Sequence, residues 1–239
     1  MIEGPDARHL AVVRRAGSGD AIRVSDGRGR LIEARITSAT PSRVEAAVAG
    51  DRHVPAPSPR VAVFLGLARG QKVDVVVRQL VELGVDALTV FQAGRSVARW
   101  DAGKASAARF RWAVIAREAA KQSHRAWLPD IIGPLPSAAA TASALAQAQA
   151  ATGGSAAFGL VAHPAAAVPV REALESIPAR VGQVWLAIGP EGGLADDEVA
   201  SFVAAGATSV TLGPQILRAE TAPIVLASLV LFRLGRFDG

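Results

Sequence analysis

The chain has 239 residues, of which 50% are hydrophobic, with a formal net charge of +5 and no cysteine. Such a chain can bury a sizeable core in one large or two small domains, and the lack of cysteine excludes disulfides and thiolate metal sites. Charge is uneven: residues 1–130 hold 21 Lys or Arg against 13 acids, a balance of +8, and residues 131–239 hold 5 against 8, or −3. A polyanion is therefore expected to meet the first half of the chain.

The opening MIEGPDARHL lacks the apolar run of a leader, and the C-terminal apolar stretch 224–234 is too short to span a bilayer, so a cytoplasmic, non-membrane protein is expected. Residues 1–52 alternate β-prone runs with turn signals: Ala21–Val24, the turn Asp26-Gly27-Arg28-Gly29, Leu31–Thr37 and Arg43–Val48. This pattern predicts a small β-barrel or meander. Within ARHLAVVRR, Arg8, Arg14 and Arg15 either anchor phosphates or form a solvated helix face. The proline-rich run His53–Pro59 reads as a semi-rigid connector, dividing the chain into a β domain at 1–54, a linker at 55–59 and a second domain at 60–239.

Beyond the linker, strands and helices alternate. Val61–Leu67 reads as a buried strand, and Gln71–Leu83 as a helix with Val73, Val76, Val77 and Leu80 at helical spacing and Gly84 as its C-cap. Ala87–Phe91 is a further strand, and Arg109–Ser123 a helix bearing Arg111, Arg117 and Lys121 around Trp112. The alanine-rich run 137–157, broken at Gly153-Gly154, reads as a surface helix with a flexible end and carries no chemistry. Phe158–Val161 and Val184–Ile188 are strands, a helix follows Ala195 with Asp196, Asp197 and Glu198 complementing its dipole, and Ser209–Leu212 is the last strand. With alanine at 195, either Asp196 caps that helix or its start frays slightly. The final helix begins near Thr221-Ala222-Pro223 and is apolar on more than one face. Alternation of this kind predicts a parallel α/β sheet.

Two glycine-proline loops, Gly189-Pro190-Glu191-Gly192-Gly193 and Leu212-Gly213-Pro214-Gln215-Ile216-Leu217, each follow a strand directly. In open α/β sheets ligands collect beyond the carboxyl ends of strands, so two loops leaving neighbouring strand ends predict two walls of one pocket. Ala162-His163-Pro164, at the end of another strand, is a third wall, although a lone histidine is more often a satisfied loop residue. Such loops offer backbone N–H and C=O groups to a flat heterocycle. No phosphate-cradling glycine motif is present, and Glu191, at the mouth of the following helix, would repel an anion.

GPEGG, an acidic helix start and LGPQILRAETA together resemble the C-terminal signature of the RsmE family of SPOUT-superfamily methyltransferases. Lys72-Val-Asp through QLVELGV, Gly94-Arg95-Ser96-Val97, and Arg111-Trp112 through Glu118-Ala-Ala-Lys-Gln122-Ser-His-Arg125 follow the family's order, so the resemblance spans nearly the whole chain. It implies a SPOUT-type sheet with a C-terminal trefoil knot behind a PUA-like RNA-binding domain, which here would lack its first strand. It also implies a homodimer that uses S-adenosyl-L-methionine, without metal, to methylate N3 of a uridine in 16S rRNA of the small ribosomal subunit. Catalysis would then fall to Arg218 and Glu220, the latter as base or as a holder of Arg218. Cofactor binding would fall to Val161, His163, Gly189, Pro190, Glu191, Gly192, Leu212, Gly213, Ile216, Leu217, Thr221 and Ala222. Arg8, Arg14, Arg15, Lys72, Arg95, Gln122 and Arg125 would meet RNA. Gln215 stands where the family commonly has arginine. A ribosome-assembly factor with a vestigial cofactor site, and a SPOUT enzyme acting on another RNA, are the alternatives.

Overall fold

The fold is that of a computed structural model, which describes residues 1–97, 100–139, 141–143, 145 and 156–238. It divides into two compact units, Met1–Ala56 with Arg125–Trp127, and Pro57–His124 with Leu128–Gly239.

In the first unit, strands β1 (Ile2–Glu3), β2 (Ala21–Ser25), β3 (Arg30–Ala39) and β4 (Arg43–His53) form an antiparallel sheet in the order β1-β4-β3-β2. Asp26 builds the predicted turn by accepting from the N–H groups of Arg28 and Arg30 at 2.6 and 3.1 Å. Helix α1 (Gly4–Arg8) runs into one π-helical turn, His9–Val13, and the chain leaves it through Arg15 at φ 51°. Ala7, Ile36 and Val44 are the buried centre of this small core, with Ile2, Leu10 and Ile22 packed around them. The two-residue β1 pairs Ile2 with Val44, at the edge where an opening strand was expected to be missing. Trp127 donates to Val54 O at 3.0 Å and meets His53 edge to face, so residues 125–127 return to this unit, a return that the sequence-based division does not contain.

The second unit is an all-parallel seven-stranded sheet. Strands β5 (Arg60–Gly66), β6 (Ala87–Phe91), β7 (Asp130–Leu135), β8 (Ala157–Ala162), β9 (Val168–Pro169), β10 (Gln183–Ile188) and β11 (Ala207–Thr211) lie in the order β7-β6-β5-β10-β8-β11-β9. Alternation along each strand feeds two cores, as burial on both sheet faces requires. Val61, Val63, Leu65, Val184, Leu186 and Ile188 pack in the same core as α2 (Lys72–Leu83), α3 (Ala102–Gln122) and α6 (Ala222–Arg233). Ala62, Phe64, Trp185 and Ala187 face α5 (Asp196–Ala204) through Phe202. A Cβ on Gly159 would lie 2.2 Å from the Trp185 ring, so the indole fills the place of a side chain.

Several elements differ from expectation. Helix α3 starts at Ala102, seven residues before Arg109, because the Asp101 carboxylate caps it by accepting from Lys104 N–H at 2.8 Å. Strands β7 and β9 and the short helix α4 (Val170–Glu175) have too weak a period to be read from sequence. The described residues of the alanine-rich run have one side buried, with Ala139 and Ser143 exposed on the other. Ala138, Thr141, Ala142 and Leu145 are buried, the alanines and Leu145 in the core around Phe202, whereas Gly153-Gly154 falls outside the described residues. Finally, β10 and β11 are not neighbours, because β8 lies between them.

Candidate active site

Because all strands of the second unit are parallel, the ends of β5, β8, β10 and β11 open on one side, and a cavity of about 520 Å³ lies there. Its walls are His163 and Pro164 after β8, residues 188–194 from the end of β10, and residues 211–213 and 215–219 from the end of β11. The insertion of β8 between the other two makes the His163 segment the middle wall rather than a third one at the side.

Glycine sets the shape of the cavity by close approach. A Cβ on Gly66 would sit 2.5 Å from Pro190 Cδ, one on Gly189 2.8 Å from the Gly193 carbonyl carbon, and one on Gly192 2.9 Å from Arg95 Cβ and O. Gly193, at φ 71°, closes the turn by donating its N–H to Pro190 O at 2.8 Å, and buried Leu194 anchors the exit. Gly213 lies at φ 118°, and Ile216 projects with 87% of its surface exposed. The N–H groups of Thr221 and Ala222 both donate to Arg218 O, a turn that launches α6.

Charge is concentrated at one edge. Lys72 Nζ lies 2.9 Å from Glu191 Oε1 and 3.2 Å from Glu220 Oε2, and Arg218 NH1 lies 3.9 Å from Glu220 Oε1. Glu220 Oε2 is buried, and its contact with Lys72 is an ion pair outside hydrogen-bond alignment. Glu191 also accepts from the Arg69 N–H at 3.2 Å. The Lys72 ammonium is raised above its usual range, first by Glu191 and then by Glu220. Burial pulls Glu191 toward protonation, but the Lys72 hydrogen bond and the backbone N–H donors outweigh it and keep its carboxyl below the ordinary range. Glu220 is held low chiefly by its own backbone N–H, against burial, and then by Lys72.

Among the residues expected to hold a cofactor, His163, Gly189, Pro190, Glu191, Gly192, Leu212, Gly213, Ile216, Leu217 and Ala222 line the cavity. Val161 lies behind the wall, fully buried in the core, and Thr221 is outside the lining. Arg218 lines it with a side chain 84% exposed, while Glu220 supports it from the turn beyond. Two residues expected on RNA, Lys72 and Arg95, are part of the cavity lining. Arg95 donates to Leu194 O at 3.3 Å. Arg8, Arg14 and Arg15 are exposed on the first unit, half-buried Arg125 belongs to that unit, and Gln122 is exposed at the end of α3 in the second.

Glu191 is not at a helix mouth, since α5 begins only at Asp196, and its carboxylate is committed to Lys72 and Arg69. Nor does Asp196 cap that helix. Glu198 reaches back to the Ala195 N–H at 2.8 Å and also accepts from the Gly94 N–H at 2.8 Å, tying the loop that carries Arg95 to the loop that carries Gly192. Sequence reasoning left Glu198, Gly66, Leu194 and Thr211 out of the site. Of these only Glu198 has a local signal, its place three residues into a helix without a polar cap.

Comparison with known proteins agrees with this architecture. The family profile of an RNA methyltransferase domain matches residues 55–231, and that of an RNA methyltransferase PUA domain matches residues 2–48. The chain is 33% identical to the ribosomal RNA small subunit methyltransferase E of Mycobacterium bovis over all of its own length and 88% of the relative's. It is 29% identical to the Bacillus subtilis protein of the same name, covering 91% of that protein. The crystal structure of such a methyltransferase from Neisseria gonorrhoeae, bound to S-adenosyl methionine, superposes with a TM-score of 0.80 at 26% identity, over 97% of this chain and 91% of that one. A putative methyltransferase from Legionella pneumophila in complex with the same cofactor gives 0.80 at 25% identity, over 96% and 90%.

Proposed function

The chain belongs to the ribosomal RNA small subunit methyltransferase E family, and we propose that it transfers a methyl group from S-adenosylmethionine to N3 of a uridine in 16S rRNA. The observation that carries this reading is the backbone-walled cavity between the ends of β8, β10 and β11. Its size suits a nucleoside-sized ligand. A Cβ at Gly189 would meet the Gly193 carbonyl carbon and one at Gly192 would meet Arg95, so glycine at both positions lets these backbone walls pack closely. His163, Gly189, Pro190, Glu191, Gly192, Leu212, Gly213, Ile216, Leu217 and Ala222 would hold the cofactor, with Val161 and Thr221 supporting from behind. When bound, S-adenosylmethionine supplies an electrophilic methyl group on a sulfonium.

The chain's own residues then do the rest. As the imino proton passes from N3 to solvent water, negative charge spreads to the uracil carbonyl oxygens. The exposed Arg218 guanidinium, whose ion pair with Glu220 is 3.9 Å long, has donors to offer that charge. Glu220, kept ionised by its backbone N–H and Lys72, is a weak base and acts to orient Arg218. Lys72 ties both carboxylates to the start of α2.

The small ribosomal subunit in the cytoplasm is the proposed substrate, and the basic first unit, with Arg8, Arg14, Arg15 and Arg125, supports an RNA-holding role. A homodimer is proposed as well. Helix α6 buries Leu226, Ala227, Val230 and Leu231 yet leaves Phe232 70% exposed. A trefoil knot through the loops after β10 and β11 is consistent with β8 lying between those strands. The test is methyl transfer from labelled S-adenosylmethionine to unmodified small subunits and to free rRNA, followed by nucleoside mass spectrometry. Appearance of 3-methyluridine is expected. Cofactor binding without transfer would point to another RNA, and absence of cofactor binding to an assembly factor.

A further inference from the structure

Helix α3 buries one face, through Ala108, Trp112, Ala116 and Ala119, and presents the opposite one to solvent. On that outer face Phe110 is 75% exposed and Val114 47%. At about 100° per residue, Phe110, Val114, Arg117 and Lys121 fall on a single stripe about 60° wide. Exposed Ser106 and Ala113, both small, flank it, so no large neighbour on the helix covers the phenyl ring. A lone exposed apolar residue requires no explanation, but a phenylalanine and a valine one turn apart, in line with two cations, form a patch of defined chemistry.

Charge selects the occupant. Lys104, Arg109, Arg111, Arg117 and Lys121 against Glu118 give the helix a balance of +4, or +3 once Asp74, which pairs with Arg111 at 3.0 Å, is counted, so two copies of this helix would repel each other, whereas a polyanion is attracted. An aromatic ring among basic side chains is the recognition chemistry of single-stranded nucleic acid, with bases stacking on the ring and phosphates meeting the cations. Surface ion pairs such as Lys121 with Glu118, at 2.6 Å, are weak enough to exchange for phosphate. None of these residues lines the cavity.

We infer that the outer face of α3 is a second RNA-binding surface, on which an unpaired base stacks on Phe110 while Arg117 and Lys121 hold the adjoining phosphates. It rests on the RNA methyltransferase reading and adds to that reading a site for single-stranded RNA outside the active site. The experiment measures binding of fluorescently labelled oligouridylate, about twelve nucleotides long to fit a single-strand site, to the full chain at low and moderate salt, alongside S-adenosylmethionine affinity and methyl transfer to small subunits. Phe110→Ala should weaken oligouridylate binding about 5- to 100-fold with an unchanged salt slope, and Phe110→Trp should restore it. Arg117→Ala and Lys121→Ala should each lower the salt slope by about 1. Cofactor affinity should stay at the wild-type value in all four variants. Wild-type affinity for oligouridylate in Phe110→Ala, no oligouridylate binding by wild type at low salt, or a change of oligomeric state in Phe110→Ala would each overturn the inference. An acidic peptide that binds this face in competition trials while oligouridylate does not would overturn it in favour of a protein partner. Failure of methyl transfer by wild type, with oligouridylate binding intact, would count against the enzymatic reading and not against this surface.

Discussion

Gly66→Ala tests whether the cavity is shaped by backbone contact from outside its own lining. Gly66 ends β5 and does not line the cavity, yet its added methyl would lie 2.5 Å from Pro190 Cδ and 2.6 Å from Pro190 N. Ordinary contact begins at 3.4 Å, so Pro190 must retreat by about 0.9 Å, the difference between 3.4 and 2.5. Neither atom is the tip of a flexible side chain, and the whole loop has to shift. Overpacking of this kind costs about 1–3 kcal/mol. For a chain of this length that corresponds to a Tm lower by about 2–12 °C. A displacement near 1 Å in a site built for alignment costs up to about 100-fold in turnover. Thermal unfolding, calorimetric titration with S-adenosylmethionine and methyl transfer would be measured together, with Gly17→Ala, where a Cβ meets nothing within 4 Å, as the neutral comparison. A Gly66→Ala protein with wild-type Tm and wild-type cofactor affinity would refute the claim that this contact seats the loop.

Three other outcomes are expected. Arg218→Ala should lower methyl transfer by about 100- to 1000-fold while leaving cofactor affinity within a few-fold, and loss of cofactor affinity instead would make Arg218 a binding residue. Glu191 and Glu220 titrate below their ordinary 4.5 in the folded chain, so the stability they contribute is complete above that pH and is lost as pH falls through the lowered values. Lys72, raised above 10.5, contributes stability that is complete below that pH and is lost as pH rises through its raised value. Lys72→Met should therefore lower urea-unfolding stability at neutral pH and flatten its fall on acidification below 4.5, and superimposable curves for the two proteins would show that the cluster is not coupled. Replacing Arg8, Arg14 and Arg15 together by alanine should flatten the salt dependence of RNA binding by up to about 1 in slope per residue, with cofactor affinity unchanged. An unaltered slope would place RNA elsewhere.

What the sequence determined by itself is local. The strands at 60–66, 87–91 and 183–188, each expected within one residue of its observed ends, the helix that Gly84 ends at φ 102°, and the two glycine-proline loops are each fixed by side chains within one or two turns of chain, so period and punctuation suffice to find them. Tertiary structure decided what lies beside what. The strand order that sets β8 between β10 and β11 depends on where three parallel crossovers land, and parallel pairing leaves no mark in a strand's own pattern. Lys72 reads as a surface cation until Glu191 and Glu220, more than a hundred residues away, are folded against it. Arg95 joins the cavity wall because Gly192 has no side chain to keep it out and Glu198 holds the two loops together. Charge partners are chosen by distance in space, and only the folded chain sets that distance.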